Sequence, residues 1–423
     1  MKTLRLREWN TTYGVTLTAG QRDALRGPLR VTVQPTSGSS DTYDVTPGNT
    51  VGAIVVDNTV LLIEPKIPIS RVLFLLGYVA DPSAWRDHQA VLGDAPDLVA
   101  GVAALHTSLC ERALRRGPLA GYHNVEAELY TVRGKVDLAQ QLRRRPGVDL
   151  PLAVQFEEHD EDTLENRLLL AATRLLCRLP IRGAATRRAM HRLTDTLQLV
   201  TPTDFRPNAV PEVNWTRLNG HYKAAVELSR LLLRLRAVDV AAGTTETAGL
   251  TIDMAALFEM FVRSALRDAL PATPAQFPAG SKVPSLALDA GSRIRLEPDL
   301  SHWPDGTCTF IGDVKYKRDS GAGHNSDLYQ LLAYATAVRL PNATLVYASG
   351  PPEANTHRIV GAGVLLHVRH LDLSLPPADQ LVQIGELASA IRGDVNAPAC
   401  LSHHARATSG NDLAEGHLRN YAE

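Results

Sequence analysis

The stretch "RLEPDLSHWPDGTCTFIGDVKYKR", from Arg295 to Arg318, constrains the fold of this chain more than any other. It reads as two strands around a tight turn, with Asp305-Gly306 as the turn signal. Asp299, Asp313 and Lys315 are set into runs that otherwise have the character of buried β-structure. A charge buried in such a place is costly unless it is paired or metal-bound. Folding about the turn brings Asp299 opposite Asp313, within a residue of register. Asp313 and Lys315 are two apart, so their side chains share one face of the strand. Two carboxylates alone repel, and one stays protonated. A divalent cation removes the conflict. Oxygen ligands from Asp299 and Asp313, with the main-chain carbonyl of Val314, suit magnesium or manganese. The lysine then adds positive charge where a phosphate gains negative charge during displacement. The metal would make a bound water nucleophilic. Asp305 sits at the hairpin tip, roughly 20 Å along the strand from Asp313 at the rise of an extended chain, too far to share that metal.

Two flanking elements bear on the same point. Gln330 and Tyr334 lie four apart on the helix expected at "LYQLLAYATAV", so they share a face. They could orient the lysine or a DNA phosphate, or be an ordinary surface amide and a half-buried tyrosine. Glu259 interrupts the apolar face of "ALFEMFV". It could enter the site as a ligand or water-orienting acid, or be a solvated helix glutamate.

The rest of the chain divides by pattern. Residues 1–68 are rich in β-branched runs ("LRVTVQ", "VGAIVV", "NTVLLIEPKI") broken by Gly, Pro, Ser and Asn. From Ile69 the pattern turns helical, and a second helix, "DLVAGVAALHTSLCERALRRG", stops at Gly117-Pro118. "EAELYTVRGKVDLAQQL" has the form of a short hairpin bending near Gly134. The acidic run Glu157 to Asp162 reads as a solvated loop leading into a helix, with Asp162 and Glu165 as an approximate capping box. A further amphipathic helix starts around Gly220, and the polar break Ala241 to Leu250 marks a boundary. The expected organisation is α+β and multidomain. It comprises a β-rich N-terminal partner-binding domain (1–155), a helical connector (156–245), a mixed α/β unit (246–392) carrying the carboxylates, and a disordered tail (393–423). His403-His404 belongs to that tail.

Charge and cysteines narrow the classes. The formal net charge is -1, which argues against gripping nucleic acid by bulk charge alone. Arginines and lysines nevertheless cluster between Arg112 and Arg145, and arginines between Glu165 and Asp195, as solvated helix faces or as a phosphate-facing surface. Cys110, Cys177, Cys308 and Cys400 are scattered, with no CxxC pair, so neither a zinc site nor a disulfide framework is expected. No apolar run is long enough to span a bilayer, and "MKTLRLREWN" has no signal-peptide character. A cytoplasmic protein is expected.

Pro298-Asp299, thirteen residues, Asp313-Val314-Lys315, then Gln330 with Tyr334, preceded by a helix, resembles the PD-(D/E)XK (restriction-endonuclease-like) nuclease superfamily with its QxxxY addition. "LLIEPKIPISRVLFLLGYV", "LYTVRGKVDL", "EEHDEDTLENRLLLAA", "NWTRLNGHYKAAVELSRLLL" and "LFEMFVRSAL", in this order, resemble the McrC family, nuclease subunits of McrBC-type modified-cytosine restriction systems. The resemblance covers roughly residues 50 to 375. It implies that Asp299 and Asp313 are metal ligands, that Lys315 is the catalytic lysine, and that double-stranded DNA is the substrate. It also implies a McrB-type AAA+ GTPase partner in a hetero-oligomer, engaged through the N-terminal region. The chain has no GxxxxGK[ST] phosphate loop of its own. Two other readings remain open. One is a nuclease of another AAA+-coupled defence or repair system that does not read methylcytosine. The other is a subunit that mainly activates the GTPase.

Overall fold

The computed structural model describes residues 2–27, 29–37, 41–83, 95–144, 150–235, 248–319, 323–351 and 355–396. The chain opens with β1 (Lys2–Arg7) and β2 (Thr12–Thr16). Helix α1 (Ala19–Arg26) is started by a reciprocal capping box between Thr18 and Gln21. Four strands follow: β3 (Thr32–Pro35), β4 (Thr42–Thr46), β5 (Thr50–Val56) and β6 (Thr59–Glu64). Asp57 and Asn58 both take positive φ, the geometry that closes β5 on β6 as a tight hairpin. Strand β1 pairs parallel with β6, while β2, β4 and β3 form a separate small sheet. Helix α2 (Ile69–Ala80) begins at the residue where the apolar pattern changes period, and α3 (Leu98–Ala113) follows.

The next segment departs from the expected hairpin. Strands β7 (Gly121–Leu129) and β8 (Lys135–Val136) do not pair with each other, and "LAQQL" belongs to α4 (Leu138–Arg144). Both strands flank β9 (Leu152–Asp160), giving the order β7-β9-β8. Gly134 is a glycine because β9 passes so close: a Cβ there would lie 2.3 Å from the Gln155 carbonyl oxygen. Most of the acidic run expected to be a loop is the end of β9, with Tyr122 facing His159 and Gly121 facing Asp160. Its acids tolerate a strand because that end of the ribbon is largely solvated. The expected capping box does not form, and the cap falls one residue later. Thr163 caps α5 (Leu164–Cys177), and Asp162 instead binds Arg167 at 2.5 Å and the Thr201 hydroxyl at 2.7 Å. Helices α6 (Ala184–Thr196) and α7 (Lys223–Leu235) pack with α3 and α5, and a 3-10 turn at Gly220–Tyr222 leads into α7.

Strand β10 (Ala248–Asp253) extends the N-terminal sheet by pairing antiparallel with β5, giving the order β1-β6-β5-β10. Asp253 then caps α8 (Met254–Ala269). The segment expected to be one strand from Arg295 is split. Strand β12 (Arg295–Leu296) pairs with β11 (Leu286–Ala287), and β13 (Leu300–His302) pairs with β14 (Phe310–Arg318). Pro298, which has no N–H to give a ladder, sits in the gap between them. After α9 (Asn325–Val338) come β15 (Asn342–Ser349), β16 (Asn355–Arg358), β17 (Leu365–His370) and α10 (Pro377–Asn396). The resulting five-stranded sheet has the order β13-β14-β15-β17-β16, with β14, β15 and β17 parallel. The chain from 397 onward, with His403-His404, and residues 236–247, which take in the polar break up to 247, lie outside the described residues.

One apolar core runs from Leu6 through α2, α3, α5 and α7 to α8, Val314, Tyr316 and α10. A second lies on the opposite side of the five-stranded sheet, where Ile311, Leu345 and Tyr347 meet Leu331 and Tyr334 of α9. The alternation of β14 thus sends Val314 and Tyr316 into the first core, while Asp313 and Lys315 share the face of Ile311. Among the described residues no helix is long and apolar enough to cross a membrane.

Candidate functional site

Leu300 pairs with Gly312 in the antiparallel register of β13 and β14, and one step further that register sets Asp299 opposite Asp313. The backbone N–H of Val314 donates to Asp299 Oδ2 at 2.9 Å, which ties the first carboxylate across the pair. On the other side of β14, Gly312 lets β15 come close, since a Cβ there would lie 2.7 Å from the Thr344 carbonyl oxygen.

Asp313 is buried, with 1% of its side chain exposed, and Lys315 Nζ lies 2.5 Å from its Oδ2. Among the described residues no donor is aligned on that oxygen for a regular hydrogen bond, so the contact with Lys315 is held as an ion pair. Burial, and then the negative charge of Asp299, push the Asp313 carboxyl up to about 7. Burial works against the charge of Lys315, but Asp313, with Asp299 and Asp327 behind it, outweighs that and holds the ammonium above its ordinary value. The two aspartates and the lysine therefore form one electrostatic unit, in which negative charge is in excess and incompletely satisfied.

Glu259, on α8, comes close enough to feel Asp299, yet its carboxylate is clasped by the guanidinium of Arg263 one turn along the helix. Burial, then Asp299, raise its carboxyl, and Arg263 only partly offsets them. Tyr334 is buried and donates its hydroxyl to the Glu297 carbonyl at 3.0 Å, while Gln330 Nε2 donates to that hydroxyl at 2.6 Å. The pair thus holds the main chain next to Pro298-Asp299, and Gln330 itself is exposed. A pocket bounded by Glu259, Arg263, Leu286, Arg295, Glu297 and Asp299 opens beside the carboxylates.

Two neighbours escaped the sequence reading. Arg263 donates Nε to the Asp299 carbonyl at 3.1 Å as well as holding Glu259. Its i,i+4 spacing from Glu259 was the available signal. Lys317 continues the Asp313, Lys315 row on β14 and pairs with the buried Asp327 at 2.8 Å, which also accepts from Tyr347 at 2.7 Å. The two-residue period of "DVKYK" puts Lys317 on that face, whereas nothing local marks Asp327, in the first turn of α9, as its partner.

Among the described residues no group of three His, Cys, Asp or Glu side chains is gathered to hold a metal. Two carboxylates and main-chain oxygen suit a hard cation that keeps several waters, and do not suit zinc.

A family model described as McrBC 5-methylcytosine restriction system component matches residues 45–348. Among curated proteins no relative matches the chain. One solved structure with a similar fold is a refined half-complex from a tetradecameric assembly of Thermococcus gammatolerans McrB AAA+ hexamers with bound McrC. The TM-score is 0.54 at 19% identity, over 92% of this chain and 100% of that chain. A cryo-EM structure of the Thermococcus gammatolerans McrBC complex matches at a TM-score of 0.41 and 22% identity, over 64% of this chain and 88% of that chain.

Proposed function

The chain belongs to the family of McrBC 5-methylcytosine restriction system components, and on that premise we propose that it is a McrC-type, metal-dependent endonuclease subunit. It cleaves double-stranded DNA when assembled with a McrB-type AAA+ GTPase and stimulates GTP hydrolysis by that partner. The observation that carries the reading is the meeting of Asp299 and Asp313 across β13 and β14, with Lys315 2.5 Å from Asp313. The order of α8, Pro298-Asp299, Asp313-Val314-Lys315 and the Gln330, Tyr334 helix supports a PD-(D/E)XK type of nuclease domain.

The residues present fit a magnesium or manganese ion. Among the described residues Asp313 Oδ2 has no aligned donor, and the two carboxylates repel without added positive charge. Asp299 and Asp313 would hold the ion, with the main-chain carbonyl of Val314. When bound, such an ion supplies a water of lowered pKa and positive charge against a phosphate oxygen. Lys315 holds its proton firmly and presents an ammonium where charge gathers on the scissile phosphate. Tyr334 keeps the Glu297 main chain, and so Asp299, in place. These 423 residues contain no GxxxxGK[ST], which assigns nucleotide hydrolysis to the partner.

The test is cleavage by the assembled complex. Asp313→Asn is expected to lower it at least ~100-fold, equivalent to about 2.7 kcal/mol of barrier. Lys315→Ala is expected to stop cleavage while partner GTP hydrolysis stays near wild type. Cleavage at the wild-type rate by a purified Asp313→Asn complex would sink the assignment. Equal loss of GTPase stimulation in Lys315→Ala, with assembly intact, would show that the two activities are not separable.

A further inference from the structure

Arg263 is 11% exposed at its side chain and spends its guanidinium on two groups at the site's edge. Nε donates to the carbonyl of Asp299, and Nη2 donates to the carboxylate of Glu259. Asp299 is thereby gripped from two sides, by Arg263 at its carbonyl and by the Val314 N–H at its carboxylate. With both ends tied, the carboxylate stays directed across the register toward Asp313. Glu259 would otherwise bring a third negative charge to a pair that already repels, and it lies close enough for the Asp299 charge to raise its carboxyl.

We propose that Arg263 is the positioning residue of the metal site: it fixes Asp299 as a ligand and keeps Glu259 outside the ligand set. The inference rests on the reading of Asp299 and Asp313 as metal ligands. Two features of the side chain suit the task. A guanidinium presents several N–H donors in a rigid plane, so one residue can hold a carbonyl and a carboxylate together. Its charge also neutralises Glu259, leaving the two aspartates to set the charge of the site. Arg263→Lys keeps the charge but loses the planar fork.

Manganese binding to the full chain, followed by electron paramagnetic resonance, tests this without cleavage or partner. Wild type, Asp313→Asn, Arg263→Gln, Arg263→Lys and Glu259→Gln are compared, with a metal-free thermal melt of each. Arg263→Gln is expected to weaken manganese binding about 10-fold or more, the usual cost of losing a group that orients a ligand. Arg263→Lys, the milder change, is expected to fall between Arg263→Gln and wild type. Glu259→Gln is expected to bind within about threefold of wild type, because Glu259 touches Arg263 rather than Asp299 or Asp313, its part-exposed ion pair is a weak coupling, and the Arg263 bond to the Asp299 carbonyl stays in place. Wild-type affinity in both Arg263 variants overturns the proposal. So does a loss in Glu259→Gln as large as that in Asp313→Asn, for Glu259 would then be a ligand. If wild type binds no manganese, or Asp313→Asn binds as wild type does, the metal-site reading itself fails and this inference falls with it.

Discussion

Glu8 and Tyr316, 308 positions apart in the chain, meet at 3.4 Å with the tyrosine hydroxyl donating to the carboxylate. The same Glu8 oxygen accepts from the Lys66 backbone N–H at 2.9 Å, and Lys66 Nζ lies 4.1 Å above the Tyr316 ring. Glu8 follows β1 and Lys66 follows β6, so the cluster ties the end of the N-terminal sheet to β14. Tyr316 sits between Lys315 and Lys317 on that strand and points to the opposite face. Apolar side chains often serve stability as well as a buried polar cluster does. Its position nevertheless couples the first strands to the strand that bears the carboxylate and lysine.

The cluster makes stability depend on pH. Burial holds the Glu8 carboxyl above its ordinary 4.5, in spite of the Lys66 amide and ammonium. A carboxyl raised on folding contributes stability that is full below its unfolded pKa and is lost as pH climbs through the folded one. Glu8→Gln removes that loss. The melting temperature of the variant relative to wild type is therefore expected to rise as pH goes from below 4.5 toward neutrality. A difference that stays flat across this range, measured by calorimetry, contradicts the account.

Helices α2 and α8 share an aromatic core that joins the first third of the chain to the carboxylate-bearing unit. The Phe261 ring lies 5.5 Å from Phe74 and 5.4 Å from Tyr78, both edge-on, and the Tyr78 hydroxyl donates to Asp268 at 3.1 Å. Phe261→Ala should cost about 3–5 kcal/mol, the usual range for emptying a buried phenylalanine site. The readout is a shifted denaturation midpoint with an unchanged slope. Removing residues 1–155 uncovers the same face of α8 and takes away β5, the partner of β10. A fragment from residue 156 onward is expected to aggregate, and a soluble monomer with a cooperative melt would disprove this.

Tyr334 and Gln330 should separate in their effects. Tyr334→Phe deletes the bond to the Glu297 carbonyl and is expected to cost about 1 kcal/mol of stability, with a fall in cleavage as the Asp299 segment loosens. Gln330→Ala removes an exposed amide, and its stability cost should stay within about 0.5 kcal/mol. Equal losses of stability in the two variants would show that Gln330 carries the packing role instead.

The juxtaposition of Asp299, Asp313 and Lys315 was legible because it is local. A turn signal, a two-residue alternation and a short connection determine an antiparallel register, and they do so before any tertiary contact forms. The same holds for α2, α8 and α9, whose apolar periodicity marks them in the sequence. The break at Pro298 is equally local, since a proline has no N–H to give a ladder and ends the strand. What the sequence left open lies between distant segments. Strand β9 separates β7 from β8, β10 completes a sheet begun by β5, and Asn49 reaches Asp253 across 204 positions. Arg263 could be paired with Glu259 by helical spacing, but its bond to the Asp299 carbonyl requires α8 to be docked. No residue type encodes such a partner by itself. Which strand edge is filled and which polar group meets which follow from how the helices and sheets cover one another's apolar faces, and only the folded chain decides that.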